Sequence, residues 1–320
     1  MEHQEVHNRL QHFPITLFAV VMGLSGLAIV FQKASEILHF PHFIGTVIAF
    51  IDLLLFLVIV IFYVSKLFSY PTEVRKEFSH PIRINFFAAI SISLLLLAVI
   101  FSTISPTISS IFFYVGVSIH TFFTFYIIAF WINHNFELNH SNPAWFIPIV
   151  GNVIVPVAGA GIVPSDFLTF YFAIGMFFWV VLFTLILNRI IFHNQLPQKF
   201  IPTIFILIAP PAVGFIAYIK LGFEYDLIAR MLYDLALFFT ILVFFMYKSF
   251  LKLKFFISWW AFTFPLAAIT IATLLSYKIT GYMFYEFLSY FLILFTTFVV
   301  GLVALRTIQH MFKKEVCVPE

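Results

Sequence analysis

The feature that most constrains this chain is the recurrence of long apolar runs. Segments near 13–31, 42–68, 82–101, 107–131, 145–162, 166–192, 200–221, 226–250, 257–277 and 282–311 are nearly free of charge. A hydrocarbon layer about 30 Å thick is crossed by roughly 20 apolar residues at a rise of 1.5 Å per residue, so each run is a candidate membrane helix and ten are expected. Composition agrees. With 62% hydrophobic and 10% charged residues, 47 phenylalanines and a mean hydropathy of +1.07, the 320-residue chain has too little polar surface to cover a water-soluble globule. The first run follows an acidic, His-rich stretch, is too long for a signal-peptide core and lacks a small-residue cleavage site, so it is expected to remain as a helix.

Short connections between the runs make consecutive helices antiparallel neighbours and leave no room for an inserted soluble domain. The expected organisation is a segment 1–12, one membrane domain over 13–311 and a tail 312–320. Lys and Arg divide thirteen to four between the two sides, and the richer side holds both termini. By the positive-inside bias both termini are expected in the cytoplasm and the chain in the inner (plasma) membrane. An even number of crossings is needed for that, in agreement with ten. The formal charge of +3 is too small and dispersed for a nucleic-acid partner, and Cys317 alone excludes an intrachain disulfide or a cysteine metal cluster.

Prolines divide the runs into two kinds. Pro14, Pro81, Pro148, Pro156, Pro202, Pro210, Pro211 and Pro265 lie in or at the start of odd-numbered runs, while the interiors of the even-numbered runs have none. The odd runs begin near 13, 82, 145, 200 and 257, which reads as five copies of a helical hairpin. Proline removes an N–H and leaves a carbonyl without its helical partner, for example that of Ala261 before Pro265 or Asn152 before Pro156. Bare lipid does not tolerate such a defect, whereas a protein interior or a wet cavity does. The fold expected is therefore all-α and integral to the membrane, with proline-kinked odd helices inside, unbroken even helices outside, and a central pore between the inner five.

Particular segments carry a resemblance. FPITLF (Phe13 to Phe18), GLSGLA (Gly23 to Ala28), HPIRINFF (His80 to Phe87), VGN (Val150 to Asn152) and above all SWWAFTFP (Ser258 to Pro265) are similar in order and spacing to the tellurite-resistance/dicarboxylate transporter family, which includes bacterial TehA proteins and the slow-type anion channels of plants. The resemblance spans essentially the whole membrane region. It implies five hairpins around a pore, a homotrimer with a pore in each protomer, and a phenylalanine before the ninth-helix proline that plugs the pore, here Phe264 before Pro265. Thr16, Ala19, Asn152 and Pro265 are the expected pore-lining residues. Many members carry glycine where this chain has Thr16 and Ala19, a departure expected to narrow the conduit.

The odd runs hold no Lys, Arg or Asp deep in the membrane, and Arg83 stands at an entrance. A neutral pore whose polarity comes from backbone and hydroxyls favours weakly hydrated anions and releases them, as conduction requires. Chloride and nitrate, small inorganic anions, are the expected cargo of a gated anion channel. The competing reading in the same fold is a proton-linked carrier or exporter of dicarboxylate, sulfite or tellurite-type anions. Its proton relay would run through Asp52, Asp234 or Glu286, which with His120 fall on even runs, where helix-to-helix bonding is the default. Asn152 is open between a pore-facing amide and a helix-to-helix bond. A membrane redox enzyme would need facing ligands on neighbouring helices, and only His120 lies deep in a run. His3, His7, His12, His134 and His140 are read as solvated interfacial residues rather than a metal site, and Trp259 and Trp260 as interfacial anchors. No cofactor is expected; membrane lipid surrounds the outer helices.

Overall fold

The computed structural model describes residues 9–318; His3 and His7 lie outside them. The fold is all-α. Among the described residues nine helical segments are long and apolar enough to cross a membrane, and the fifth of the expected ten, Pro143–Gly159, is shorter. A 3-10 turn over Pro143–Phe146 followed by α-helix over Ile147–Gly159 reaches only about 27 Å at their respective rises.

Five α-helices form an inner set: α1 (Phe18–Leu38), α4 (Ala88–Phe101), α6 (Ile147–Gly159), α8 (Ala209–Lys220) and α11 (Thr263–Thr280). Five form an outer set: α2 (His42–Ser69), α5 (Pro106–Asn133), α7 (Ser165–Phe192), α9 (Leu227–Phe245) and α12 (Met283–Phe312). The short helices α3 (Pro71–Phe78) and α10 (Tyr247–Leu251) lie in connections. Each outer helix packs on the inner helix that precedes it, making five hairpins. The inner helices touch in the order α1, α4, α6, α8, α11, and α11 returns to α1, so the ring is closed.

The two sets differ in burial, and even the most apolar segment is largely exposed, as a lipid solvent allows. His42–Ser69 has a mean hydropathy of 3.1 and is 28% buried, whereas Ile257–Thr280 has 1.5 and is 78% buried. In water the least buried helix would be the most polar. Phe68, Phe245 and Phe312 point outward with almost their whole rings. The inner helices place hydroxyls inside and satisfy them locally: Ser93 donates to the Ala89 carbonyl at 2.7 Å, Thr270 to Leu266 at 2.7 Å and Thr273 to Ile269 at 2.8 Å.

All five inner helices begin in the same manner. A 3-10 stretch leads into each: Ile15–Leu17, Arg83–Phe87, Pro143–Phe146, Gln198–Leu207 and Ile257–Phe262. No outer helix is entered this way. The prolines of the inner runs gather at these junctions. Pro148 stands at the start of α6, Pro210 and Pro211 at the start of α8, and Pro265 in the first turn of α11, where a missing N–H costs nothing. Pro202 falls within the 3-10 stretch itself, and Pro156 lies in the interior of α6.

Candidate functional site

The 3-10 stretches and first α turns of the ring enclose a small cavity of about 60 Å³. Every inner segment contributes to it: Thr16, Ala19 and Met22 from the first, Phe86 and Ile92 from the second, Ile147, Val150 and Ile154 from the third, Thr203, Ile206 and Ala209 from the fourth, and Trp260, Ala261, Phe264 and Pro265 from the fifth. None of these side chains is ionisable, in keeping with a neutral conduit. The lining is, however, almost wholly carbon, not the polar surface expected from hydroxyls. Thr203 donates to the Phe200 carbonyl at 2.5 Å and Ser258 to the Lys199 carbonyl at 2.6 Å, which occupies their hydrogens in backbone bonds. A space this size would hold about two waters by volume, but water needs two to four polar partners. The cavity is therefore built to be dry.

A second cavity, about 650 Å³, lies at the opposite end of the same ring. Ile29, Val99, Ile216 and Ile271 line it, each seven residues beyond Met22, Ile92, Ala209 and Phe264 of the first. Seven residues are close to two helical turns, so the same faces of four inner helices look into both cavities at levels about 10 Å apart. Here the lining is mixed, with Gln32, Lys33, Glu36, Ser102, Thr103 and Lys220 set among apolar residues.

Phe264 lines the first cavity, seven residues before the Ile271 that lines the second, and is 7% exposed. Its seat is Gly26: a Cβ there would lie 3.5 Å from the Phe264 ring and 2.7 Å from the Ala267 side chain. Glycine thus lets α1 and α11 approach closely, with the Phe264 ring packed against α1 at this point. Thr263 donates to the Trp260 carbonyl at 2.7 Å, and the Trp260 indole donates to Thr307 of α12 at 2.9 Å. Trp260 is 2% exposed, so it is a buried strut between the start of α11 and α12 rather than an interfacial anchor.

Thr16, Ala19, Phe264 and Pro265 thus meet at one cavity. Asn152 does not line it: its amide donates to Thr124 on α5 at 3.1 Å and to the Pro148 carbonyl at 3.0 Å. His120 lies beside this pair, bonded to Ser91 at 2.9 Å and filling the space that a side chain at Gly151 would need. Asp52 accepts from Ser25 of α1. Both are fully buried between helices, whereas Asp234 is exposed and Glu286 half-buried. Gly26 was legible only as part of GLSGLA; its role as a ring seat depends on the crossing of two helices far apart in sequence.

Residues 12–308 match the family described as voltage-dependent anion channel. The chain belongs to that family. The S-type anion channel SLAH2 of Arabidopsis thaliana is 34% identical over 282 residues, covering 85% of this chain and 54% of the relative. An uncharacterized transporter of Methanocaldococcus jannaschii is 28% identical over 334 residues, covering 96% and 97% of the two chains. The tellurite resistance protein TehA homolog of Haemophilus influenzae is 25% identical over 306 residues, covering 94% and 91%. The chain therefore spans about half of the plant relative and nearly all of the archaeal and bacterial ones. As a member of this family it is a multi-pass membrane protein of the anion channel or transporter kind.

Proposed function

We propose that the ring of α1, α4, α6, α8 and α11 encloses a gated conduit for small monovalent anions such as chloride and nitrate, and that Phe264 stoppers it. The observation that carries this reading is the paired cavities: one set of helix faces lines both, and the Phe264 ring lines the first, two helical turns before Ile271 lines the second. Thr16, Ala19 and Pro265 form the wall on the dry side, and the apolar collar around Phe264 closes the path by excluding water as well as by its bulk.

Anion preference follows from helix direction rather than from fixed charge. All five inner helices run the same way, and their first turns surround the dry cavity, so their positive ends face it. Each such end acts as about half a positive charge. This attracts an anion without the tight ion pair that would retain it, and it favours anions that shed water easily. Thirteen of the 17 basic residues lie toward the side of this cavity, which we take as the cytoplasmic side of the plasma membrane, with both termini there. A homotrimer with one conduit per protomer, as the resemblance implies, is part of the same reading.

A proton-linked carrier of sulfite, dicarboxylate or tellurite-type anions draws on one observation: Asp52 is bonded to Ser25, the neighbour of the Gly26 seat. Proteoliposome flux separates the two. We expect chloride and nitrate to pass without a proton gradient and nitrate to compete with chloride. Uptake of sulfite or malate that needs a pH gradient, with no chloride or nitrate flux, would replace the channel reading by the carrier.

A further inference from the structure

The parallel inner helices that favour an anion at one mouth oppose it at the other. Their C-terminal ends, at Leu38, Phe101, Gly159, Lys220 and Thr280, surround or approach the larger cavity, and five such ends amount to about two and a half negative charges. An anion crossing the ring would meet this field on the far side. Something has to offset it.

Only four basic residues lie on that side of the chain, and three of them gather here: Lys33 near the end of α1, Lys220 at the end of α8 and Lys278 near the end of α11. The positive-inside bias disfavours lysines on this side, so their concentration at one mouth is not a topological signal. Glu36 accepts from Lys33 at 2.6 Å and from Lys278 at 2.5 Å and joins α1 to α11. Lys220 has no carboxylate or carbonyl partner among the described residues and lines the cavity together with Lys33 and Glu36. Three ammonium groups against one carboxylate leave two net positive charges, close to the opposing charge of the helix ends.

We propose that this vestibule is an anion-collecting site in which Lys220 meets the ion and the Lys33–Glu36–Lys278 bridge holds the surrounding charge in place. The ligand class is a small, weakly hydrated monovalent anion. Its place at the mouth of the conduit rests on the channel reading above, but binding of the ion does not. Lys220 leaves three of its N–H donors for the ion, whereas the Ser102 and Thr103 hydroxyls in the same lining donate to the Val99 carbonyl at 2.7 Å and the Ile100 carbonyl at 3.5 Å. Removing the unit charge of Lys220 changes the concentration of an ion passing about 8 Å away through the water-filled mouth about two-fold at low salt, and that of an ion in contact with the ammonium by more.

Two independent measurements test this. In crystals soaked with bromide, the wild type is expected to show an anomalous peak within hydrogen-bond distance of Lys220 Nζ, absent in Lys220→Gln and retained in Lys220→Arg. In planar bilayers, Phe264→Ala channels are expected to carry about two-fold less chloride current from the vestibule side when Lys220→Gln is added. The deficit should vanish at about 1 M salt, where the screening length falls to about 3 Å. Absence of the peak in the wild type, or a low-salt current that Lys220→Gln leaves unchanged, overturns the proposal. If Phe264→Ala passes no current at all, the channel reading has failed, and the bromide measurement alone decides the site.

Discussion

Replacing Phe264 by alanine is the perturbation with the largest expected effect. In the closed ring, opening requires the phenyl group to leave its seat on Gly26. Moving a buried Phe side chain out of contact costs about 1.5–3 kcal/mol, and holding it off its preferred rotamer adds about 0.5–1.5 kcal/mol. An opening cost of about 2–4.5 kcal/mol corresponds to a conduit that is open roughly one part in 30 to one part in 2,000 of the time. Phe264→Ala removes the ring and with it that cost, so the mean chloride current in a planar bilayer should rise by roughly 30- to 2,000-fold. Phe262→Ala is the matched control. Its ring is as buried, but packs on Phe205 at 4.7 Å and Phe250 at 5.8 Å, away from the axis, and its loss should leave the current near the wild-type level. Truncating a Phe in a sealed core destabilises by about 3–5 kcal/mol; Phe264 borders a cavity, so the lower end is expected and the variant should still fold. A folded Phe264→Ala protein with wild-type current, or equal gains from both variants, would refute the gate.

Two further outcomes concern the scaffold. Lys66 and Glu77 form a buried ion pair at 3.0 Å; Glu77 also accepts from Tyr63 at 2.8 Å, and Lys66 donates to the Phe13 carbonyl at 2.8 Å, tying α2 and α3 to the start of the first inner segment. Lys66→Met strands the Glu77 carboxylate and should cost about 3–5 kcal/mol, read as a lower Tm in detergent, whereas Lys66→Met combined with Glu77→Leu should recover part of the loss. Asp226 caps α9, and the Ala229 backbone amide and then the Tyr218 hydroxyl hold its carboxyl below the ordinary range. A lowered folded-state value means that the cap stabilises the protein above the unfolded Asp value and that this is lost as pH falls through the folded one. Asp226→Ala should therefore lower Tm near neutral pH, and the difference from wild type should shrink in acid; a gap that persists there counts against the cap.

The element pattern was legible because lipid enforces it. A crossing helix must be long and apolar whatever surrounds it, so the runs of the sequence reappear as helices, with few differences at their ends. The first inner helix continues to Leu38, past the run near 13–31, because Gln32, Lys33 and Glu36 find partners or water at the vestibule. Loss of hydropathy therefore did not mark its end; His39 in the left-handed region did. The run near 226–250 divides at Met246 into α9 and α10. The alternation of inner and outer helices was also readable, since proline is selected against where lipid would meet an unpaired carbonyl.

One-dimensional facts can be read from the residues in order: which segments cross, which of them tolerate proline, where charge is absent, and that Phe264 precedes Pro265. The tertiary structure alone decided which of these residues share a space. Asn152 and Pro156 lie on one inner helix, yet the Asn152 amide turns to Thr124 and away from the axis; Lys33 and Lys278 stand 245 positions apart, yet both meet Glu36. A helix of 3.6 residues per turn shows a different face every 100°, and which face looks inward is set by close packing against neighbours distant in the chain. The seat of Phe264 on Gly26 is of that kind, as is the distinction between a dry cavity and a charged one at the two ends of the same ring.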